Sequence, residues 1–460
     1  MKALTDKNSS SRNALIVFTR EPEPGKTKTR LMPYFSPEQC AELHRCMIKD
    51  ISREMKNADV SVVVAFTSDD AAEPAFLRKT MGKDTLFIKQ RGGDIGVRMQ
   101  NAIDDVLSLG YDKVILIGTD IPEIKAETIN ASLDLLASDD IVLGPTADGG
   151  YYLIGMKVMH PEAFNVKVFG VASVFDETVT SLKKAGLSVG KSDTYSDMDM
   201  PDDLAGFRRR MKKDARLRRS HTGRFLAQNS RLSVIVPVYN EAAEISRLMK
   251  QLIPYRNECE IIIVDGGSTD RTLDIINECA GEAVRDILIL KDKKGRAVQM
   301  NAGAKAASGD ILFFLHCDSI LPKHFTKEIR RIMAAYDWGC FKVKFPSSNF
   351  FMMTNCIISN HRALCRKLPF GDQGIFIDKD LFIEAGMFPE IPLMEDYEFS
   401  RRMRTAGLPI CQLPGRIITS GRRYRTGFPL LTMWRMFWLR CLYRSGRDIE
   451  DIARRYRDIR

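Results

Sequence analysis

The stretches SVIVPVYNEAAEI, residues 233–245, and EIIIVDGGSTDRT, residues 260–272, decide the fold of the C-terminal half. Each begins with a short apolar run, rich in Val and Ile, and continues into Asn, Asp or Gly, which is typical of a buried strand that leads into a turn or a helix. The runs ILIL at 287–290 and ILFFLHCDS at 311–319 continue this rhythm. The spacing predicts an α/β domain that binds its ligands at the carboxyl ends of the strands.

The N-terminal half repeats this pattern. Its strand-like runs are ALIVF (14–18), VVVAF (62–66), VILIG (114–118) and IVLG (141–144). In both halves a later strand ends in an acidic turn, GTDIP at 118–122 and HCDSILP at 316–322. We therefore expect two copies of one nucleotide-binding architecture, although any two α/β domains could share such a rhythm.

The length of 460 residues suits two domains, and a strongly basic stretch lies between them. The formal net charge is +10, and much of it falls in FRRRMKKDARLRRSHTGR, residues 207–224. Such charge suits nucleic acid, anionic lipid or phosphorylated substrates, but no zinc-finger or basic-zipper pattern accompanies it, so we expect no nucleic-acid partner. The predicted organisation is two domains and a helical tail joined by a basic linker: 13–207, 208–231 (linker), 232–425 and 426–460 (tail).

The spacing of cysteine and histidine and the lengths of the apolar runs indicate the cellular compartment. The ten cysteines form no CxxC pair and the six histidines show no metal-finger spacing, so a reducing cytoplasm is expected, without disulfides or structural zinc. No apolar run reaches the ~18 residues of a membrane span. The tail interleaves Trp434, Phe437, Trp438 and Tyr443 with arginines. This mixture predicts either a peripheral helix at the inner face of a membrane or a helix packed on the domain.

Acidic residues at the strand ends of the C-terminal half are candidates for chemistry. Asp265 ends a buried strand before two glycines, and Asp318 leaves a strand too apolar for the surface. A divalent cation that bridges two phosphates is a natural partner for such a carboxylate. Glu395 and Asp396 precede a helix and offer a base for an acceptor proton. Each residue also has a plainer explanation, as a turn cap or as favourable charge at a helix N-terminus.

Taken in order, PVYNE, VDGGSTD, the acidic strand end and ED resemble the family 2 glycosyltransferases over roughly residues 232–425. HCDS and GDQG are similar to the subgroup called radical-SAM/selenodomain-associated transferase 2. The resemblance implies a nucleotide-diphosphate-sugar transferase fold (GT-A, Rossmann-like), Mg²⁺ or Mn²⁺ held by Asp318, and Asp396 rather than Glu395 as catalytic base. It also implies a set of substrate-binding residues: Pro237, Glu241, Asp265, Arg296, Asp372 and Gln373. The chain departs from the family at His316, which replaces the first of two carboxylates that flank one residue.

The N-terminal half carries a basic loop, EPEPGKTKTRL at 21–31, after its first predicted strand. The loop lacks the spacing of a Walker motif, and a lone basic loop is commonly a solvated surface feature. Acidic residues follow it: Asp120, Asp148, Asp197 and Asp199. Carboxylates that converge opposite cations suit magnesium and a nucleotide polyphosphate. The alternative is that Asp197 and Asp199 merely precede a helix.

This half resembles nucleotidyltransferase-like proteins related to cofactor-guanylylating enzymes, and most closely the group called radical-SAM/selenodomain-associated transferase 1, over roughly residues 13–207. The resemblance implies that Lys28 and Arg30 face phosphates. By the same resemblance Asp120 binds metal. From the converging carboxylates we also expect Asp199 to bind metal and Asp148 to contact substrate.

The expected function is sugar transfer from a nucleotide diphosphate sugar to an unknown acceptor, a small molecule or a lipid-like one, by one inverting displacement. The sequence leaves two alternatives open. The N-terminal half could make the activated nucleotide that the C-terminal half consumes. Alternatively, the chain could be a nucleotide-responsive scaffold with one degenerate site.

Overall fold

A computed structural model of the protein describes residues 12–67, 73–82, 85–165, 173–346, 350–419 and 429–457. The chain divides into two compact units, residues 1–226 (unit 1) and 227–460 (unit 2). Each unit contains one seven-stranded sheet with helices on its faces. The α/β architecture predicted for both halves is confirmed.

In unit 1 the strands are β1 Asn13–Arg20, β2 Ser61–Thr67, β3 Leu86–Lys89, β4 Lys113–Ile117, β5 Ile141–Pro145, β6 Tyr151–Met156 and β7 Val189–Lys191. The helices are α1 Pro37–Met55, α2 Ala75–Met81, α3 Ile95–Ser108, α4 Ala126–Leu135, α5 Val174–Lys184, α6 Pro201–Lys213, α7 Ala215–Arg219 and α8 His221–Gln228, the last of which crosses into unit 2 by two residues.

In unit 2 the strands are β8 Leu232–Val238, β9 Glu260–Asp265, β10 Ile287–Lys291, β11 Ile311–Phe314, β12 Trp338–Lys344, β13 Ile375–Asp378 and β14 Ile410–Ile418. The helices are α9 Ile245–Leu252, α10 Thr272–Ala280, α11 Arg296–Ala306, α12 Phe325–Met333, α13 Phe350–Cys365, α14 Lys379–Glu384, α15 Glu395–Thr405, α16 Pro429–Arg444 and α17 Ile449–Arg457.

The two sheets have the same strand order. Unit 1 runs β3-β2-β1-β4-β6-β5-β7, and unit 2 runs β10-β9-β8-β11-β13-β12-β14, so each strand of unit 2 takes the place of the strand seven earlier. In both sheets the sixth strand of the unit is antiparallel to its two neighbours, whereas the first strand is parallel to its own neighbours. The prediction of two copies of one architecture is therefore confirmed at the level of topology.

The central strands are buried on both faces, which explains their unbroken apolar sequences. In unit 2 one face of the sheet packs in a core with Ile263 and Phe313, and the other face in a second core with Ile262 and Phe314. Helix positions follow local signals as well. Helix α1, for example, begins at Pro37 behind a capping box formed by Ser36 and Gln39.

The structure differs from the linker predicted at residues 208–231. This segment contains the end of α6 and all of α7 and α8, and its residues up to 226 belong to unit 1. The carboxylate of Asp50, which is fully buried, accepts the backbone N–H groups of His221 and Thr222 at 2.8 Å, and Arg210 pairs with Glu123 at 2.8 Å. Apolar residues at helical spacing lie buried between the cations, so the charge run is the solvated face of helices that belong to the domain.

The tail predicted at residues 426–460 forms α16 and α17, as far as the structure describes it. Leu439 and Ile452 are fully buried in a cluster with Leu368 and Tyr397. One face of the tail is thus packed on unit 2, as in one of the two alternatives for this segment. Across the described residues no helix has the length and hydropathy of a bilayer span. Contact between the tail and a membrane stays a prediction.

Candidate functional site

In unit 2 the first candidate residues meet at the carboxyl ends of β8 and β9. Val238 is the register partner of Asp265, and Pro237 is the partner of Val264, so Pro237 and Asp265 lie at one sheet edge. Asp265 is 1% exposed, and its carboxylate accepts the backbone N–H groups of Gly267 and Ser268 at 3.2 and 3.1 Å. Gly267 has φ +83°, a conformation that glycine adopts without a steric penalty. Asp265 therefore shapes the loop that follows β9.

The loop after β8 is tied to the loop after β9. Thr269 donates its backbone N–H to Asn240 Oδ1 at 2.8 Å, and Asn240 donates its own N–H to Ser268 Oγ at 3.0 Å. The backbone N–H of Glu241 donates to Thr272 Oγ1 at 2.9 Å. These bonds hold the partly exposed Glu241 at the same edge of the sheet as Asp265, which is where the sequence predicted a nucleotide pocket.

Glu395 and Asp396 lie in different surroundings although they are adjacent. Glu395 is 2% exposed, and its Oε1 lies 2.9 Å from Arg296 Nε. Chiefly because of Glu395, the pKa of Arg296 is raised above its ordinary value. The sequence predicted that Arg296 contacts the nucleotide. The structure adds a salt bridge between Arg296 and Glu395, which the sequence did not suggest and which fixes the start of α15.

Asp396 faces the GDQG segment. Its Oδ2 accepts the backbone N–H of Gly371 at 2.7 Å. A Cβ at Gly371 would lie 2.7 Å from His316 Nε2 and 3.3 Å from Asp396 Oδ2, so glycine permits the close approach of all three residues. The structure therefore brings Asp396 and Asp372, the neighbour of Gly371, to the turn after β11. This turn carries His316 and Asp318.

The remaining site residues of unit 2 differ in accessibility. Asp318 is partly buried in the turn after β11, and its main-chain oxygen accepts Arg247 Nη2 at 3.2 Å. Gln373 was predicted to contact substrate, but its side chain is fully buried, accepts the N–H of Phe370 at 3.3 Å and lies 3.4 Å from the Phe341 carbonyl oxygen. Gln373 therefore holds the GDQG segment from behind, because hydrogen bonds in the interior occupy its amide.

In unit 1 the predicted residues line one cleft of about 580 Å³ at the carboxyl ends of β1 and β4. Lys28 Nζ lies 2.6 Å from Asp120 Oδ1 and 3.6 Å from Asp199 Oδ1, and it donates to the Met198 carbonyl oxygen at 2.6 Å. Arg30 Nη1 lies 2.8 Å from Asp199 Oδ2. The basic loop and the acidic turns, which are far apart in sequence, thus meet directly.

The carboxyl groups of this cleft perturb each other. Burial raises the pKa of Asp197 to about 6, with further increments from the charges of Asp148, Asp203, Asp120 and Asp199. Burial also raises the pKa of Asp120, but the ammonium group of Lys28 outweighs it and holds the pKa below its ordinary value. The cleft therefore concentrates negative charge that a cation would relieve. Within the described ranges, no three His, Cys, Asp or Glu side chains are already arranged as ligands of one metal ion.

Sequence reasoning missed His44, a buried residue of α1 behind the cleft. Its Nδ1 lies 2.6 Å from Thr27 Oγ1, and its Nε2 lies 3.0 Å from Thr119 Oγ1. Burial and the nearby Lys28 charge lower the pKa of His44 to about 3, so the ring is neutral near pH 7. Thr27 precedes Lys28 and Thr119 precedes Asp120. A threonine directly before Lys28 and another directly before Asp120 were the available signal in the sequence.

Three non-glycine residues at or beside the candidate sites have left-handed backbone conformations. Lys28 has φ +50°, Asn240, which precedes Glu241, has φ +52°, and Met394, which precedes Glu395, has φ +71°. Such conformations cost free energy in residues with a Cβ and persist where the surroundings impose them.

Comparison with known proteins gives a different relationship for each half. Residues 51–170 match the family described as "Uncharacterized protein conserved in bacteria (DUF2064)", and residues 233–379 match glycosyl transferase family 2. An uncharacterized glycosyltransferase of Nostoc sp. is 32% identical over 109 residues, which cover 23% of this chain and 34% of the relative. The chain thus spans about a third of the length of this relative.

Two other comparisons involve a guanylyltransferase and a solved structure. The 2-phospho-L-lactate guanylyltransferase of Methanothermobacter thermautotrophicus is 29% identical over 182 residues, 38% of this chain and 76% of the relative. A crystal structure from Desulfovibrio desulfuricans G20, assigned as a nucleotide-diphospho-sugar transferase, is 32% identical with a TM-score of 0.45. The match covers 48% of this chain and 95% of the solved chain. The protein is therefore a fusion of an N-terminal DUF2064 domain, related to guanylyltransferases, with a C-terminal glycosyl transferase family 2 domain.

Proposed function

We propose that unit 2 transfers a sugar from a nucleoside diphosphate donor to an acceptor hydroxyl group in one displacement. The observation that carries this proposal is the separation of two adjacent acids: Glu395 is buried against Arg296, whereas Asp396 meets Gly371 and His316 at the turn after β11. This separation supports Asp396 as the acid that takes a proton from the acceptor.

In the proposed step Asp396 is the proton acceptor and the nucleoside diphosphate is the leaving group. Asp396 accepts the proton of the acceptor hydroxyl group, the acceptor oxygen bonds to the anomeric carbon, and the bond from that carbon to the diphosphate breaks. The nucleoside diphosphate leaves with the bonding electrons, and the anomeric configuration is inverted. The N–H of Gly371 orients the carboxylate through Oδ2, at 2.7 Å.

We also propose that unit 2 uses Mg²⁺ or Mn²⁺. Asp318 lies in the turn after β11 at the carboxyl edge of the sheet, and a carboxylate beside a diphosphate is electrostatically unfavourable without a cation. Asp318 would hold the ion, which when bound offsets the negative charge of the leaving diphosphate. His316 occupies the position of the first of the two family carboxylates, so the nucleotide phosphates would contribute more of the ligands.

A variant series in the full-length protein tests this proposal. Release of nucleoside diphosphate from a panel of UDP- and GDP-sugars is measured with Mn²⁺ and a cell extract as the source of acceptor. Asp396→Asn should lower transfer by about 10²–10⁴-fold while nucleotide binding is retained. Asp380→Asn, an exposed acid of α14, is the matched control. Turnover of Asp396→Asn equal to that of Asp380→Asn contradicts the base assignment.

For unit 1 we propose a nucleotide-polyphosphate site that depends on Mg²⁺. The support is the contact between Lys28, Asp120 and Asp199 in one cleft, together with the raised pKa of Asp197. A cation added beside these carboxylates would release Lys28 toward a phosphate. Calorimetric titration with GTP and Mg²⁺ tests the site, and Asp120→Asn should abolish the Mg²⁺-dependent part of binding.

Pyrophosphate release distinguishes a unit 1 that makes an activated nucleotide from one that only binds nucleotide. If unit 1 makes an activated nucleotide, GTP and a phosphorylated substrate release pyrophosphate, and Asp120→Asn stops this release without affecting transfer from a ready-made donor. If unit 1 only binds nucleotide, no pyrophosphate appears while binding persists. GTP affinity that is the same with and without Mg²⁺ contradicts both versions.

A further inference from the structure

Helix α13 has an inverted amphipathic pattern, because its solvent-facing side is apolar. The exposed fractions of Phe350, Ile357 and Leu364 are 74%, 68% and 54%, and Met353 on the same face is 55% exposed. Its opposite side packs inward through Met352, Ser359 and Ala363. In water such an apolar face is unfavourable, so it indicates a surface that is covered in use.

Helix α16 contacts α13 and has the same inverted pattern. Leu431, Trp434 and Phe437 are 46%, 61% and 57% exposed, whereas Leu439 on the other side is fully buried. The rings of Trp434 and Trp438 are nearly parallel, with their centroids 6.5 Å apart. Two contacting helices thus both expose large apolar side chains, and we call their exposed faces together the α13–α16 surface.

Within the two sequence segments that carry this surface, the charged side chains have one sign. The sequence contains no Asp or Glu between residues 338 and 371, which include α13, or between residues 399 and 447, which include α16. Arg366, Lys367 and Arg435 are wholly or partly exposed and form no ion pair with any described residue. Aromatic rings beside unpaired cations suit the interface of an anionic bilayer, where rings lie at headgroup depth and cations meet lipid phosphates.

The α13–α16 surface is also connected to the candidate base. The ring of Phe370 lies 3.5 Å from the guanidinium carbon of Arg362 on α13 and 5.6 Å from that of Arg440 on α16. The next residue, Gly371, donates its N–H to Asp396. In addition, Arg444 of α16 donates to the Tyr397 hydroxyl group at 2.7 Å. One aromatic residue therefore separates the apolar helices from the proposed reaction centre.

We propose that the α13–α16 surface docks on an anionic lipid bilayer and turns the Gly371–Asp396 edge of unit 2 toward it. The partner is a membrane rather than a protein because two neighbouring helices present both exposed aromatic residues and unpaired cations, with no acid in either sequence segment. This docking needs no sugar transfer, so it can fail or succeed independently of the proposed function.

Intrinsic fluorescence gives a direct assay with the intact protein. The chain has three tryptophans: Trp338 is fully buried in β12, and Trp434 and Trp438 lie on α16. Vesicles of phosphatidylcholine with phosphatidylglycerol should shift the emission to the blue and carry the protein to the top of a flotation gradient. Pure phosphatidylcholine vesicles should do neither, and salt should weaken the binding. Equal binding to both vesicle types, or to neither, overturns the proposal.

Matched variants assign the binding to this surface. Arg435→Glu changes the local charge by two units, and at ~1 kcal/mol for each charge near the membrane it should lower vesicle affinity about 30-fold. Arg209→Glu on α6 makes the same change on an exposed residue of unit 1 and should leave the affinity unchanged. Leu364→Ser should weaken binding, whereas Leu109→Ser, an equally exposed leucine of unit 1, should not.

Two outcomes overturn the assignment even if vesicles bind. One is equal loss of affinity in Arg435→Glu and Arg209→Glu, which would indicate a general effect of net charge. The other is concentration-dependent dimerisation that Leu364→Ser abolishes while vesicle binding persists, which would show that a second copy of the chain covers the surface. Circular dichroism of each variant establishes that it is folded.

Discussion

Replacement of Glu395 by Gln tests whether the two adjacent acids of α15 have the separate roles that the structure indicates. Glu395 is 3% exposed at its side chain and lies 2.9 Å from Arg296, whose side chain is 32% exposed. Loss of one partner from a fully buried ion pair costs about 3–5 kcal/mol. Because a third of Arg296 remains in contact with solvent, we expect a smaller loss of about 2–3 kcal/mol in the free energy of unfolding of unit 2.

Urea unfolding followed by tryptophan emission measures this loss selectively, because all three tryptophans belong to unit 2. With a urea dependence of about 2–3 kcal/mol per M, the unfolding midpoint should fall by about 1 M. Glu278→Gln is the control, since Glu278 pairs with Arg271 at 2.7 Å but both side chains are more than 60% exposed. That pair should contribute less than about 1 kcal/mol.

Asp396→Asn completes the comparison, because it should leave the urea midpoint of unit 2 nearly unchanged while it abolishes most transfer. Two results would refute the reasoning. In one, Glu395→Gln unfolds like the wild type and loses activity, so that Glu395 is the functional acid. In the other, Asp396→Asn shows the larger loss of stability.

Three further predictions concern pH and packing. The pKa of His44 is lowered from 6.5 to about 3, so between these pH values the native state binds fewer protons than the unfolded state. Unit 1 should therefore lose stability as the pH falls from 6.5 to about 3. His44→Gln should remove this pH dependence of stability in calorimetric scans. Asp197 has a pKa raised from 3.8 to about 6, so ionisation costs stability as pH rises through that range, and Asp197→Asn should raise the melting temperature of unit 1 at pH 7.5 but not at pH 3.5. An unchanged pH profile in either variant contradicts the respective assignment. Gly303→Ala places a Cβ 2.5 Å from Ile235 Cγ2 and should destabilise unit 2 by about 1–3 kcal/mol in urea titration, whereas Gly206→Ala, which meets only the flexible end of Arg210, should not lower stability.

The class of fold and the positions of its strands follow from the amino-acid sequence alone. Runs such as SVIVPV and EIIIVD are apolar because their strands are covered on both faces, and this property is local enough to be read from composition and spacing. The acidic turns at Asp120 and Asp318 could likewise be placed at strand ends, since strand ends follow directly from strand positions. The resemblance of the two halves to different transferase families also required only short motifs.

Tertiary structure alone decided which side chains meet. Lys28 and Asp199 are 171 residues apart, and their contact depends on how α1 and the sheet bring two loops together. The burial of Glu395 beside a more accessible Asp396 could be anticipated from helical geometry, but the partner Arg296 could not, because it lies on another helix. The basic run at 208–231 was misjudged as a linker because its anchors, Asp50 and Glu123, are distant in sequence. The exposure of apolar residues on α13 was equally hidden, since the composition of a helix does not show which face its neighbours leave uncovered.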